Sequence, residues 1–350
     1  MSTAVATARP PSPGTTGAIR RRRLLVAAGL LGALAVTIML SVTIGAKPVP
    51  LSDVWHALTD PTGTENDIVI RSLRIPRTAV GVLAGVALGV AGALMQGHTR
   101  NPLADPGLLG VTQGAAFAMV LGIMVLGVTG LAGYIWFGLA GALIASVGVF
   151  ALGMAGGRGA PTPVTLALAG TAVSAFLYAL TSALVLMDQQ AMDVFRFWQA
   201  GSIAGRGADV VWQVLPFVAA GLVLAALNAP GLNALSLGED VARALGQNVT
   251  LVRTIGVAAI TLLSGASVAA CGSLAFLGLM VPHLARPLSG PDHRRLLPYS
   301  GLIGAAALLG ADVIGRVVAR PGELEVGVVL ALIGAPFFVF LVRRRKPVRL

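Results

Sequence analysis

Long apolar runs, separated by short polar stretches, follow one another along almost the whole chain. Most runs approach or exceed the about 20 residues that an α-helix needs to cross the hydrocarbon core of a bilayer. The pattern predicts an all-α membrane protein, a polytopic helical bundle of about ten transmembrane helices. The predicted spans are residues 24–46, 77–97, 108–129, 133–155, 163–187, 210–229, 251–271, 273–288, 297–318 and 325–342.

Charged residues set the predicted orientation of these spans. Residues 1–23 are rich in Pro, Ser and Thr and end in four arginines, which predicts a disordered cytoplasmic tail. Residues 24–345 form the membrane domain, and residues 346–350 form a second cytoplasmic tail. With the N-terminus inside, most of the 25 Lys and Arg lie in cytoplasmic segments, so both termini are predicted to be cytoplasmic. A signal peptide cleaved near Ala46 is the alternative, but the first apolar run is too long for its core.

Composition narrows the possible functions. The chain of 350 residues is 56% hydrophobic and 11% charged, with a mean hydropathy of +0.85, which excludes an ordinary soluble domain. Its single cysteine excludes an internal disulfide and a cysteine-ligated metal cluster. The sequence has no HExxH, GxSxG or GxxxxGK[ST] motif, so we expect no metal site, no hydrolase centre and no nucleotide site.

One polar segment, ALSLGEDVARALGQN at 234–248, interrupts the apolar pattern. Ser236 and Glu239 have the spacing of a capping box, which predicts a helix from about Leu237, and Gly246 supplies a stop. One face of this helix is apolar at four-residue spacing, with Leu237, Val241 and Leu245. The residues alone leave two interpretations open, a helix lying on the membrane surface and a docking helix for a cytoplasmic partner.

A second polar stretch, GHTRNPLADPGLLG, lies between the second and third predicted spans. Asn101-Pro102 and Asp105-Pro106 interrupt the helix twice, because a residue before proline is pushed out of the α region. Gln96 and Asn101 can satisfy the backbone groups that these breaks release. We therefore favour a structural loop over direct contact with a substrate.

Glycines and one ion pair are the other features of the spans. Gly81, Gly85 and Gly89 share one face of the second span, which predicts close approach of a neighbouring helix. Asp312 lies one turn before Arg316, so we favour an ion pair along a helix face over a proton relay.

Several separated motifs carry a resemblance to a known family. They include RSLRIPR at 71–77, LGEDVARALG at 237–246, ADVIGR at 311–316, and long matches at 93–115, 272–298 and 323–338. Over residues 50–345 the chain resembles the FecCD family, the permease subunits of bacterial ABC importers for ferric siderophores, haem and cobalamin.

The resemblance implies a type II ABC importer permease fold and a translocation subunit rather than an enzyme. It implies a bacterial cytoplasmic membrane location, a second permease subunit, two cytoplasmic ATPase subunits, an extracytoplasmic binding protein and a ferric siderophore as substrate. No cofactor is expected on this chain, because ATP and Mg²⁺ would bind the ATPase. Membrane lipid is an expected partner, and nucleic acid is not.

The resemblance also assigns roles to residues. The helix that couples to the ATPase would comprise Ser236, Leu237, Gly238, Glu239, Asp240, Val241, Arg243, Leu245 and Gly246. The binding protein would dock on Arg74, Arg77 and Arg316. The translocation path, at an interface of two permeases lined by the fifth and tenth spans, would include Thr171, Ser174, Tyr178, Thr181 and Ser182.

Alternatives remain open at this stage. Haem or cobalamin could replace the siderophore, and an ion-coupled secondary transporter is the rival from another class. The sequence identifies neither a particular siderophore nor whether the second permease is identical or homologous.

Overall fold

The computed structural model describes residues 13–45, 49–128, 130–155 and 162–344. The α-helices in these ranges are α1 (Pro13–Thr43), α2 (Leu51–Thr59), α3 (Glu65–Ile68), α4 (Ile75–Thr99), α5 (Val111–Leu126), α6 (Leu131–Ala155), α7 (Pro163–Val185), α8 (Gln189–Ala200), α9 (Ala208–Leu235), α10 (Glu239–Ala244), α11 (Val249–Cys271), α12 (Leu277–Ser289), α13 (His293–Val318) and α14 (Val326–Arg344). A π-helical segment, Val69–Arg74, joins α3 to α4, and a 3₁₀ helix, Pro106–Leu109, precedes α5. None of the described residues forms a β-strand.

The long helices confirm an all-α protein with several membrane-spanning segments. In the described part of the chain, seven segments are long and apolar enough to cross a membrane: Arg20–Thr43, Glu65–Thr99, Ala132–Ala155, Val164–Val185, Ala208–Leu235, Val249–Cys271 and His293–Val318. Two shorter apolar helices, Val111–Leu126 and Val326–Leu341, coincide with the third and tenth predicted spans.

The eighth predicted span, 273–288, differs from the structure. Its helix, α12, begins only at Leu277 and has 13 residues, about 20 Å of helix against a hydrocarbon core of about 30 Å. Gly272 and Phe276 both have positive φ, 76° and 65°, and they separate α12 from α11. The helix α12 packs against α4 and α13. It is too short to cross the membrane by itself.

The N-terminal segment also differs in part. Residues 13–23, which were predicted to be disordered, form the first part of the helix α1. Pro13 suits the first turn of a helix, and the arginines that follow are good helix formers. Residues 1–12 and the C-terminal tail at 346–350 lie outside the described residues.

The core is centred on α4, which packs closely against α13. A Cβ added at Gly85 would lie 2.5 Å from the Cα of Ala305, and one at Gly89 would collide with the backbone of Ser300. Gly81 of α4 lies against the side chain of Leu309, which is also on α13. The predicted glycine face is confirmed, because only glycine permits this separation of the two backbones.

Candidate functional site

The helix α10 is a short polar helix at one end of the bundle. Gly238, with φ of 108°, separates it from α9, and Gly246, with φ of 79°, ends it. Ala242 is fully buried and packs with Leu235, Val249 and Val252. Three apolar side chains of the segment point away from this contact, with exposed fractions of 63%, 46% and 61% for Leu237, Val241 and Leu245. The segment therefore has a buried base and an uncovered apolar ridge.

The predicted capping box is wrong. The hydroxyl of Ser236 donates to the carbonyl of Asn233, 2.6 Å away, and so belongs to the end of α9. Gly238 is the residue that precedes α10, and no side chain caps the helix. The positive φ of Gly238 breaks the chain after α9, so α10 begins at Glu239 rather than near Leu237.

The carboxylate of Glu239 points back into the bundle. It forms an ion pair and a close hydrogen bond with Arg253 of α11, whose side chain is 6% exposed. Arg100, just after α4, lies 3.9 Å away, and Arg243 of α10 lies 3.4 Å away. Asp240 is fully exposed, and within the described ranges its carboxylate pairs with Arg243 alone. Glu239 thus joins α10 to α11 and to the end of α4.

Arg253 and Arg100 are two further residues of this site, and neither was predicted from the sequence. Arg253 lies in an otherwise apolar predicted span, and an ionisable residue there calls for a partner. That signal was present, but it does not specify which of the distant acidic residues is the partner.

A second link joins α9 to α13 beside α10. Asn233 donates its amide to Asp292 over 2.7 Å, and its carbonyl oxygen accepts from the backbone N–H of His293. The hydrogen bond from Asn233, assisted by the backbone N–H of Arg294, lowers the pKa of Asp292. The carboxylate that holds this link is therefore charged at neutral pH.

The polar loop between α4 and α5 satisfies its own backbone. Gln96 donates to the carbonyl of Leu279, 3.1 Å away, and Asn101 accepts from the N–H of Leu103. Asp105 accepts from the N–H of Gly107, and burial raises the pKa of Asp105. Pro102 and Pro106 lie in the same loop. These contacts are those of a structural loop, which stays a prediction.

At the other end of the bundle, two predicted docking arginines bind the end of α1. Nη1 of Arg74 donates to two carbonyl oxygens there, at 2.7 and 2.8 Å, and Nη1 of Arg316 donates to two more, at 2.9 and 2.6 Å. The acceptors are Val42 and Thr43 for Arg74, and Ser41 and Ile44 for Arg316. The final carbonyls of a helix lack partners within the helix, so both arginines act as a C-terminal cap.

Asp312 connects the third predicted docking residue to this cluster. Its carboxylate lies 2.7 Å from Nη2 of Arg77 and 2.6 Å from Nη2 of Arg316. Arg77 also bridges to Glu323, at 2.7 Å. The predicted pair of Asp312 and Arg316 is present within α13. Arg77 extends it into a network that joins α13 to α4.

A cavity of about 550 Å³ opens beside these residues. Its charged lining residues are Glu65, Arg74, Arg77, Arg206, Arg316 and Glu323. Within the part of the chain that the structure describes, Arg206 has neither a hydrogen-bond partner nor an ion pair, and its Nε is buried. Four guanidinium groups against two carboxylates make this cavity suited to an anionic group.

The residues predicted for the translocation path lie on α7. The hydroxyls of Thr171 and Thr181 donate to carbonyls of the same helix, at 2.8 and 2.7 Å. Tyr178 is exposed, while Ser174 and Ser182 are partly buried. Several large apolar side chains on α7 and α14 are also uncovered, including Leu168, Phe176, Leu332 and Phe340.

No group of three or more His, Cys, Asp or Glu that could hold a metal ion occurs among the described residues. Cys271 is buried.

Comparisons with known proteins agree with this architecture. A model of the FecCD transport family matches residues 33–344. The chain is 48% identical to the ferric enterobactin transport system permease protein of Escherichia coli, over 94% of this chain and 98% of that protein. It is 42% identical to the iron(3+)-hydroxamate import system permease protein of Bacillus subtilis, over 88% of this chain and 80% of that protein.

Other comparisons extend the range of named substrates and provide a fold. The cobalamin import system permease protein of Halobacterium salinarum is 37% identical, over 92% of this chain and 89% of that protein. A solved inward-facing metal-chelate type ABC transporter matches with a TM-score of 0.79 and 30% identity, over 91% of this chain and 98% of that one. The chain is a member of the FecCD transport family, and it has the multi-pass helical fold of an ABC transporter permease.

Proposed function

We propose that the protein is the permease subunit of an ABC importer for a ferric siderophore. In this proposal an external binding protein delivers the ligand, and a separate cytoplasmic ATPase drives its movement. The relatives named for enterobactin and iron-hydroxamate transport support the siderophore class. Cobalamin is the alternative that a relative supports directly, and haem is the other.

The observation that carries the proposal is the apolar ridge that α10 and its two flanking leucines form over an anchored base. Leu237, Val241 and Leu245 are about half to two-thirds exposed at an end of the bundle where the segment is otherwise polar. Covering them with a partner would contribute several kcal/mol, at about 25 cal/mol per Å² of apolar surface. Because Glu239 joins α10 to Arg253, a push on this ridge is transmitted to α11 instead of only moving a loop.

The orientation follows from this assignment. The α10 end lies in the cytoplasm, where the ATPase binds and hydrolyses Mg·ATP, and both termini are on that side. The end with the arginine cluster faces outward, toward the binding protein. This chain contributes differential contacts to its inward-open and outward-open states and carries out no covalent chemistry.

The outer cavity is proposed to dock the binding protein through a carboxylate. Arg74 and Arg316 already satisfy the end of α1, and Arg77 is paired with two acidic groups. Arg206 is the cavity guanidinium with no such engagement in the described ranges, so it is best placed to receive an incoming carboxylate. Arg74, Arg77 and Arg316 would then shape the cavity and add positive potential.

A second permease, identical or homologous, is proposed to pack along α7 and α14. Their uncovered apolar side chains provide the contact, and the hydroxyls of α7 give the path between the two chains a weakly polar lining. The described residues of α7 include no charge, which suits release of a bulky ligand. The assembly lies in the bacterial cytoplasmic membrane.

An ion-coupled secondary transporter fits the charges less well. Such a carrier needs an acidic group that can gain and lose a proton along its path. Asp312 is held between Arg77 and Arg316 in two ion pairs, so its carboxylate has a structural role between two helices.

The proposal is tested by co-purifying the permease with its partner ATPase and measuring binding of loaded binding proteins. We expect Leu245→Asp to abolish ATPase association while membrane insertion is retained, because the change places a charge on the apolar ridge. Binding proteins loaded with ferric siderophore, haem or cobalamin distinguish the substrate classes. If the ATPase associates equally with the Leu245→Asp variant, the assignment of α10 is wrong.

A further inference from the structure

An apolar groove of about 680 Å³ runs along the lateral surface of the bundle near the α10 end. α4 forms its floor with Val86 and Val90, while α9 and α13 form its walls. Arg294, at the mouth, is the only charged residue in the lining. The wall residues are Leu222, Ala225, Ala226, Ala229, Pro230, Leu297, Pro298, Gly301 and Leu302.

The guanidinium group of Arg294 lies close enough to Asp292 for its charge to help lower the pKa of that carboxyl, but it forms no hydrogen bond or ion pair with a described residue. The neighbouring carboxylate, Asp292, already accepts from Asn233 at 2.7 Å and from Arg295 at 3.2 Å. Asp292 also accepts from the backbone N–H of Arg294, but that bond does not involve the guanidinium. Within the described ranges the side chain of Arg294 has no hydrogen bond or ion pair, and the residue is exposed. The apolar groove therefore ends in an exposed guanidinium group that none of the described residues holds in a direct ion pair.

Two prolines add polar acceptors to the same surface. Pro230 of α9 and Pro298 of α13 both line the groove, and proline has no backbone N–H. The helical hydrogen bonds to the carbonyls of Ala226 and Arg294, four residues earlier, are therefore not made. These carbonyls can accept hydrogen bonds from hydroxyl groups of a ligand in the groove.

We propose that this groove binds one anionic phospholipid. An acyl chain lies over α4 between α9 and α13, and the phosphate lies at Arg294. The choice of occupant follows from the lining, which is apolar along the span and positive only at the end. Basic pockets between transmembrane helices are recognised binding places for anionic head groups. The volume also lies in the range of pockets that enclose a ligand of several hundred daltons.

Such a lipid would act on the same helices that support α10. It would pack against α9, whose last turn leads into α10, and against α13, which Asn233 and Asp292 join to α9. Filling the groove holds these two helices at a fixed separation. The lipid would thus steady the base of the partner-binding helix.

The test uses the purified full-length permease, delipidated in a mild detergent. Native mass spectrometry measures retention of phosphatidylglycerol and of phosphatidylcholine with identical acyl chains. We expect one phosphatidylglycerol to be retained with about a fivefold preference, the size of the attraction of one basic residue for an anionic membrane surface. Arg294→Ala should remove this preference, and Arg294→Lys should keep most of it.

Two further variants separate the groove from general surface charge. Ala226→Phe fills the groove from an exposed position without changing charge, and it should lower retention of both lipids. Arg343→Ala removes an exposed arginine at the C-terminal end of α14, outside the groove. It should leave the preference for phosphatidylglycerol unchanged.

Several results would overturn the proposal. Equal retention of the two lipids by the unaltered protein would exclude selection of an anionic head group. Equal losses in Arg294→Ala and Arg343→Ala would reduce the effect to diffuse charge. Unchanged retention of both lipids in Ala226→Phe would place the lipid elsewhere. A groove that a partner subunit covers would retain no lipid in the isolated permease, and that result would also contradict the proposal.

Discussion

Removing the charge of Glu239 tests whether α10 is anchored to the bundle. In Glu239→Gln the side chain keeps its size and one accepting oxygen, but it loses the charge opposite Arg253 and exchanges its second oxygen for an NH₂ group. Hydrogen bonds to charged groups contribute about 1.5–3 kcal/mol, and breaking a fully buried ion pair costs more. Because Glu239 is 27% exposed, whereas Arg253 is 6% exposed, we expect a loss near the lower end, about 1–2 kcal/mol.

The loss of anchoring free energy should increase the local opening of α10 and weaken binding of the ATPase. A change of 1–2 kcal/mol alters an equilibrium by a factor of about 5–30. If the ATPase binds only anchored α10, its affinity for the permease should fall by up to this factor. Amide hydrogen exchange at 239–246 should accelerate, while exchange in α13 stays unchanged, because Glu239 has no ion pair or hydrogen bond with α13 among the described residues.

The matched control is Asp240→Asn, on the next residue. It removes the same charge from the same helix, but Asp240 is fully exposed and, in the part of the chain that the structure describes, pairs with Arg243 alone. We expect a change in ATPase affinity of less than about twofold, as for other exposed pairs. Equal effects of Glu239→Gln and Asp240→Asn, measured in lipid nanodiscs, would refute the anchoring argument.

Three other predictions follow from the arginine end, the outer cavity and the packing of α4. Arg74→Ala should lower the thermal stability of the permease, because carbonyls at the end of α1 lose two charge-assisted hydrogen bonds worth about 1.5–3 kcal/mol each; an unchanged melting temperature would exclude this capping role. Arg206→Ala should preserve stability but weaken capture of the loaded binding protein and reduce its salt dependence, as measured by titration at two ionic strengths. Gly89→Ala should destabilise by about 1–3 kcal/mol, because its Cβ meets the backbone of Ser300. Gly148→Ala, with open space around it, should not, and similar melting temperatures of the two variants would contradict the packing account.

The fold class could be predicted from the sequence because apolar length alone specifies membrane helices. The glycine face of α4 was also predictable, since the spacing of Gly81, Gly85 and Gly89 is visible in one helix. The break before α12 was not, because it depends on the positive φ of Phe276, a residue with no intrinsic preference for that conformation.

At the candidate site, too, some features could be predicted from the sequence and others could not. The apolar residues Leu237, Val241 and Leu245 could be predicted from a local repeat, and all three are exposed, but only Val241 lies within α10 itself. The capping box failed because Ser236 and Glu239 found other partners, in Asn233 and Arg253. Pairing of Glu239 with Arg253, and of Arg74 with the end of α1, depends on how separate helices pack, which local spacing does not encode.

Transport in proteoliposomes tests the central claim most directly. The permease, a second permease, the ATPase and the siderophore-loaded binding protein are reconstituted, and uptake of ⁵⁵Fe-siderophore is followed with either ATP or an imposed proton gradient. We predict uptake that requires Mg·ATP and the binding protein, and that falls with Leu245→Asp. Uptake by the permease alone, driven by the proton gradient and unaffected by ATP, would contradict the account.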